Sequence, residues 1–194
     1  MADINFVSQP AHKHASTEAG GSTPPKGVSG PVPYDLIELL FFAYREFTSD
    51  PDDVLAQYGF GRAHHRVLHF VDRHPGIMVT DLLGILKITK QSLGRVLKQL
   101  VDEDFIEQRP GAVDRRQRLL HTTSKGHDLA RRLALLQTER LDRAINDLPN
   151  DSTDAVKQFL FQMIDPEARS EVANLINVRH DETGTSSDKT SSAP

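Results

Sequence analysis

The 194-residue sequence predicts a mainly α-helical (α+β) fold in which one short β-hairpin interrupts a series of helices. Three observations predict it. Apolar residues recur at helical spacing through most of the stretch from Tyr34 to about Val178. Two brief extended segments, Phe105–Arg109 and Gln117–Thr122, flank a run of turn residues and charge from Pro110 to Arg116. Both chain ends are rich in Gly, Pro, Ser and Thr and poor in large apolar side chains, so they bury too little surface to offset the entropy of ordering.

The elements are read in order. Tyr34–Phe47 carries Leu36, Leu39, Leu40, Ala43 and Phe47 in a helical stripe. Asp50-Pro51-Asp52-Asp53 reads as a restart, with Asp50 as cap, Pro51 at the first position and acids in the first turn. Gly59 and Gly61 separate this from Arg62–Arg73, where Val67, Leu68, Phe70 and Val71 face inward, and His74-Pro75-Gly76 stops that helix. A short helix follows near Val79–Leu86, with Thr80 as its expected cap. Lys87-Ile88-Thr89 makes a tight turn into a longer helix from about Thr89 to Glu103. Beyond the hairpin, Ser124 is expected to cap a long helix to about Asp147, with Leu129, Leu133, Leu136, Leu141, Ile145 and Leu148 in its stripe. Pro149–Ser152 breaks it. Two shorter helices follow, Thr153–Ile164 and one opened by Asp165-Pro166 that reaches about Val178.

Helix, turn, helix, hairpin and long helix, in that order, describe a winged helix-turn-helix domain with a two-stranded β-hairpin wing. Its expected extent is about 62–123, with helices at about 33–58 and 124–178 forming a dimerisation region from both chain ends. Residues 1–32 and 179–194 are expected to be disordered tails.

Composition narrows the function. The absence of cysteine excludes disulfides and thiol-based redox sensing. No apolar run approaches the roughly 18 residues of a membrane span, and Met1-Ala-Asp-Ile-Asn lacks the order of a secretory signal, so a cytoplasmic location with no membrane partner is expected. Net charge is −4 but unevenly spread. Arg62–Arg132 holds 14 basic and 8 acidic residues, leaving 9 and 19 for the rest. A basic middle between acidic ends suits a nucleic-acid-binding lobe on a self-associating body, although charge alone is equally compatible with an ordinary mixed surface.

The Thr89–Glu103 helix carries the sharper signal. Leu93, Val96, Leu97, Leu100 and Val101 form its apolar face, while Lys90, Gln91, Gly94, Arg95 and Lys98 lie opposite. Gln reads adenine bidentately, Arg reads guanine, and Ser92 suits base or phosphate. Lys87, Lys90, Lys98 and Arg109 are the expected phosphate contacts; Thr89 sits at the helix start, where free N–H groups favour an anion. Arg109, Arg115, Arg116 and Arg118 cluster at the hairpin, where a projecting arginine fits the strongly negative minor groove. Asp114 among them is expected to pair with a neighbouring arginine and fix the tip. Double-stranded DNA is therefore the expected partner. One winged helix covers only a half-site, so a homodimer is expected as well.

Ile88–Ile106 resembles the recognition-helix segment of MarR-type regulators. Asp114-Arg-Arg-Gln-Arg-Leu-Leu-His-Thr-Thr-Ser-Lys-Gly126 is similar to that family's wing signature: Asp114, Arg116, Thr123 and Gly126 match, and Thr122 stands where leucine is usual. The resemblance covers about Tyr34–Val178, with specific motifs only in Val79–Gly126. It implies an obligate dimer, a palindromic operator, recognition helices in successive major grooves and wings in flanking minor grooves. In that scheme Arg116 reads the minor groove and Asp114 buttresses it. It also implies a small-molecule effector, for which Phe41, Phe42, Tyr44, Arg45, His65 and His69 are candidate pocket residues; core and rim is the plainer reading of the same six. His65-x3-His69 has a spacing zinc uses, but no carboxylate or cysteine accompanies it in the pattern, so no metal or other cofactor is expected. No phosphate loop, nucleophile elbow or His-Glu-x-x-His motif is present, so an enzyme is not expected. The function expected is sequence-specific transcriptional regulation, with repression as output. The alternative is a winged-helix protein-interaction module.

Overall fold

A computed structural model of the chain describes residues 31–111, 114–150 and 152–176. Most of both expected disordered tails, and residues 112 and 113 of the hairpin tip, lie outside these. Among the described residues the elements are α1 Tyr34–Ala56, α2 Arg62–Arg73, β1 Ile77–Met78, α3 Val79–Leu86, α4 Lys90–Asp102, β2 Ile106–Pro110, β3 Arg118–Thr122, α5 Ser124–Asn146, α6 Ser152–Gln162 and α7 Arg169–Ile176. No described helix is long and apolar enough to cross a membrane.

By internal contacts the chain divides into two units, residues 1–46 and 47–194. The described part of the first is the opening of α1, whose Tyr34, Leu36, Ile37, Leu40 and Phe41 are all exposed. Within it the Phe41 and Phe42 rings meet edge to face at 5.4 Å, and the Arg45 guanidinium lies 4.9 Å over the Phe42 ring.

The second unit holds the core. Leu68 and Val71 from α2, Leu82 from α3, Leu93 and Leu100 from α4, Phe105 and Ile106, Leu120 from β3 and Leu133 from α5 are fully buried or nearly so. Each contributes about 1.5–3 kcal/mol by leaving water. The sheet is three-stranded, order β1-β3-β2, antiparallel throughout. The hairpin was expected to stand alone; Ile77 and Met78 add a third strand opposite Leu120 and Leu119. Two residues are too short to display an alternating pattern, so β1 leaves no periodic signal. Gly76 makes it possible: at φ +86° it turns the chain so that its N–H donates to the Leu120 carbonyl at 2.8 Å.

Three local expectations need correction. The restart at Asp50-Pro51 does not occur, because α1 runs through it with Pro51 inside. Proline costs about 3 kcal/mol in an exposed helix interior; here its ring is buried together with Thr48, Val54 and Leu55, and that burial offsets the cost. The caps of α3 and α5 are Met78 and Thr123, in place of Thr80 and Ser124. Asp81 accepts the Met78 N–H at 3.3 Å, and Thr123 accepts the Gly126 N–H at 3.1 Å. Both helices follow a strand directly, so the last extended residue becomes the cap. Finally, Asp165-Pro166 forms a turn and α7 starts at Arg169, whose guanidinium donates to the carbonyls of Ile164 (2.9 Å) and Gln162 (2.8 Å) and so satisfies the end of α6.

Candidate nucleic-acid interface

Helix α4 divides cleanly. Leu93, Val96, Leu97 and Leu100 are buried, whereas Lys90, Gln91, Ser92, Gly94, Arg95 and Lys98 are exposed. Thr89 is the N-cap: its hydroxyl accepts the Ser92 N–H at 3.1 Å and donates to Ser92 Oγ at 2.9 Å. That leaves the Ser92 hydroxyl proton directed by its own rotor alone, available as a donor. Among the described residues nothing lies within 4 Å of a Cβ built on Gly94, so this position opens to the outside. Lys87 ends α3 with φ 50° and ψ 40°, a left-handed conformation that an L-residue adopts at a cost of about 1 kcal/mol. This sharp turn sets α4 at its angle to α3. Lys98 is engaged by Asp102 one turn on.

The wing follows α4 directly, and β2 packs against that helix. Arg109, Arg115, Arg116 and Arg118 are all exposed, with Arg109 paired to Glu107. Among the described residues Asp114 does not pair with a guanidinium as expected. Its Oδ1 accepts the Arg116 backbone N–H at 2.9 Å, closing a local turn that the Gln117 N–H to Asp114 carbonyl bond (3.0 Å) continues. The carboxylate thus shapes the backbone that carries Arg116 and leaves the guanidinium unspent on it. The tip is tight: a Cβ on Gly111 would lie 2.7 Å from the Asp114 carbonyl oxygen.

Sequence reasoning missed the joint behind α4. Lys125 donates to the Glu103 carbonyl at 2.8 Å and lies 4.0 Å over the Phe105 ring. Thr123 donates to the Asp104 carbonyl at 2.7 Å, and its N–H reaches the Phe105 carbonyl at 3.1 Å. A Cβ on Gly126 would sit 1.9 Å from that same carbonyl oxygen. The Thr and Gly of the wing signature therefore dock the start of α5 onto the end of α4; the spacing was legible but the contact was not. Thr122, the departure from leucine, donates to Asp72 Oδ1 at 3.0 Å, and His127 Nδ1 meets the same oxygen at 2.9 Å.

The candidate effector residues fall in both units. Phe41, Phe42, Tyr44 and Arg45 lie on the first part of α1, with the three aromatic rings about half exposed or more. His65 and His69 lie one turn apart on α2. Burial, the neighbouring His69 and Arg66 push His65 down to about 4, against the pull of Asp52. His69 is lowered by burial of its inner side, by Arg73 and by His74, though its ring keeps contact with water. Burial thus favours the neutral ring at both positions. Beside His65 stands a polar junction that the sequence did not disclose. Arg62 pairs with Asp52 at 2.8 Å and Arg140 with Asp50 at 2.8 Å. Asp52 Oδ1 and Arg140 Nε are nevertheless buried without a hydrogen-bond partner among the described residues.

Known proteins share this arrangement. The sequence profile of the MarR family matches residues 58–117, from the aromatic residues before α2 into the wing. The HTH-type transcriptional regulator PetP of Rhodobacter capsulatus is 47% identical over 133 residues, covering 69% of this chain and 80% of PetP. Among solved structures, Streptococcus pneumoniae FabT in complex with DNA superposes with a TM-score of 0.61 at 15% identity, over 73% of this chain and 98% of FabT. A mutant of E. coli MarR complexed with operator DNA gives 0.54 at 19% identity, over 68% and 94%. The two structures share the fold; the kinship to PetP, together with the profile match through the helix-turn-helix into the wing, establishes that the chain belongs to the MarR family of transcriptional regulators.

Proposed function

We propose that the chain binds duplex DNA sequence-specifically as a homodimer on a palindromic operator, represses transcription there, and is released by a small-molecule effector. The observation that carries the reading is the two-sidedness of α4. Its apolar row is sunk in the core, while Gln91, Ser92 and Arg95 stand exposed beside Lys87 and Lys90, followed at once by a wing bearing four exposed arginines. Gln91 and Arg95 serve as base readers, Lys87, Lys90, Lys98 and Arg109 as phosphate contacts, and Arg116 as the minor-groove residue. Arg115 and Arg118 add charge beside it, Asp114 holds its turn, and Thr89 holds the helix start.

Pairing of two copies is supported by apolar side chains that one chain leaves in water: Leu39 on α1, and Phe159, Leu160 and Met163 at α6. These lie outside the α2–β3 lobe, which favours self-association over a protein-docking lobe. An effector near α2 and α5 is supported by the unsatisfied Asp52 Oδ1 and Arg140 Nε, since burying such groups unpaired costs about 1–3 kcal/mol each. A ligand preferring one spacing of the recognition helices would shift the dimer between states.

The test is a titration with sheared genomic DNA at two salt concentrations, then selection of bound duplexes from a random pool. Steep salt dependence is expected from counterion release. On a selected duplex, Arg95→Ala is expected to cost about 1–3 kcal/mol and relax one base position. Salt-independent binding, or equal loss on selected and sheared DNA, would refute the assignment.

A further inference from the structure

Resting on the DNA-binding reading above, we propose that His64 is a positioning residue for sequence recognition: through Gln99 it fixes the rotation of α4 about its own axis, and with it where Gln91 and Arg95 present their side chains.

The need for such a device follows from how α4 is held. Its core contacts are Leu93, Val96, Leu97 and Leu100, and burial of an apolar stripe is non-directional. A small roll of the helix would cost that stripe little while displacing every exposed side chain. Gln91, Arg95 and Gln99 stand at i, i+4 and i+8, one row along the helix. The row begins exposed, with two residues suited to reading bases, and ends half-buried at Gln99. Fixing Gln99 therefore fixes the row.

His64 is built to do so. Its Nδ1 accepts the Gly61 N–H at 3.1 Å, and because a backbone amide only donates, the ring proton is on Nε2. Nε2 donates to Gln99 Oε1 at 3.0 Å. The Gln99 amide nitrogen donates in turn to Glu103 Oε1 at 3.0 Å, which fixes which end of the amide faces His64. The imidazole lies flat on the Phe60 ring, with centroids 4.7 Å apart and planes 6° from parallel, so it does not swing. Phe60 is buried against Phe105, 5.1 Å away and nearly perpendicular. The result is a one-way series of hydrogen bonds, from Gly61 through His64 and Gln99 to Glu103, running from the start of α2 to the end of α4. Lys125 of α5 secures that end by its bond to the Glu103 carbonyl.

The arrangement requires a neutral ring. Burial lowers the His64 pKa, and this outweighs its bonds to Gln99 and Gly61 and the pull of Glu103, the acidic group that acts on it from α4. A protonated ring would turn an N–H against the Gly61 N–H and break the series at its first member.

The experiment uses the full chain, one duplex selected from random DNA, and sheared genomic DNA. His64→Asn keeps an acceptor for Gly61 but is too short for Gln99. His64→Gln offers an amide donor that reaches Gln99 and does not titrate. His64→Asn is expected to weaken the selected duplex about five- to tenfold, as losing one directional hydrogen bond would, with sheared-DNA affinity unchanged. Gln99→Leu added to it should bring no further loss. His64→Gln is expected to restore discrimination and to flatten the acid side of the binding-against-pH curve. If both His64 variants weaken the two DNAs equally and in step with their melting temperatures, or if His64→Asn keeps full discrimination, the proposal falls. Failure of the unmodified chain to bind either DNA would overturn the DNA-binding reading and this proposal together, and is thereby told apart from failure of His64 alone.

Discussion

The lobe from α2 to β3 and the helices at the chain ends use similar apolar residues to opposite effect. In the lobe Leu68, Leu93, Leu100 and Leu120 have no exposed surface, and helices, sheet and wing close on one another within a single chain. At the ends Leu39 is 62% exposed and Phe159 56%, and neither α6 nor α7 buries a residue. Helical spacing is the same in both regions; what differs is whether the chain itself supplies the opposing surface. The lobe's stability is thus a property of the chain, whereas in the proposed dimer that of the end helices would depend on a second copy and so on concentration.

That contrast is open to attack. The largest effect is expected in the lobe: Leu100→Ala removes a fully buried side chain and should cost about 2–5 kcal/mol in urea unfolding, by the same amount at low and high protein concentration. A loss that vanished at high concentration would mean that the lobe, too, is held by association.

Acid should act on the lobe next. His65 has a lowered folded-state value of about 4 against 6.5 for a free imidazole, so the unfolded chain takes up the proton first. Stability is then flat above about pH 6.5 and falls as pH drops from there towards 4, by up to about 3 kcal/mol and less to the extent that water reaches the ring. His65→Leu should flatten that limb of the melting-temperature curve. An unchanged limb would assign it to other groups.

The end helices answer to a different measurement. Phe159→Ser should leave the urea midpoint of the lobe within about 0.5 kcal/mol, yet raise the dimer dissociation constant about tenfold in sedimentation equilibrium, as truncation of one apolar contact does. A lowered midpoint with unaltered mass would place Phe159 in the lobe's own packing. The smallest effect is expected at Arg116, whose side chain stands exposed on the wing, outside the core. Arg116→Ala should leave folding untouched and reduce the slope of log affinity against log salt by about one, the signature of a lost phosphate-proximal charge. An undiminished slope would take Arg116 out of the groove.

How much of this was legible in the sequence follows from the same contrast. The lobe was readable because its apolar residues keep a strict period and its turns carry Gly, Pro and Asp, so α2, α3, α4 and the hairpin fall within a residue or two of expectation. What escaped was decided by tertiary contact. Pro51 signals a helix start until its ring is buried. Two residues at Ile77–Met78 are too few for a pattern, and Met78 and Thr123 become caps only because strands precede them. In the candidate interface, the residue types along α4 and the wing were plain, since polarity opposite a leucine row is a local property. The partners that orient them were not. His64 lies 35 positions from Gln99, and Lys125 lies 22 from Glu103, and no local rule joins such pairs.

The contact between Gly126 and Phe105 has a mechanical consequence. A hydrogen atom in place of a side chain lets two backbones touch, and two touching backbones form a bearing without play. Flexible side chains at such a joint would soak up the first fraction of an ångström of any movement. Here a slight tilt of α5 is passed to the trailing end of α4 with little loss, so small angular changes in the long helix suffice to move the exposed row that begins at Gln91 and Arg95.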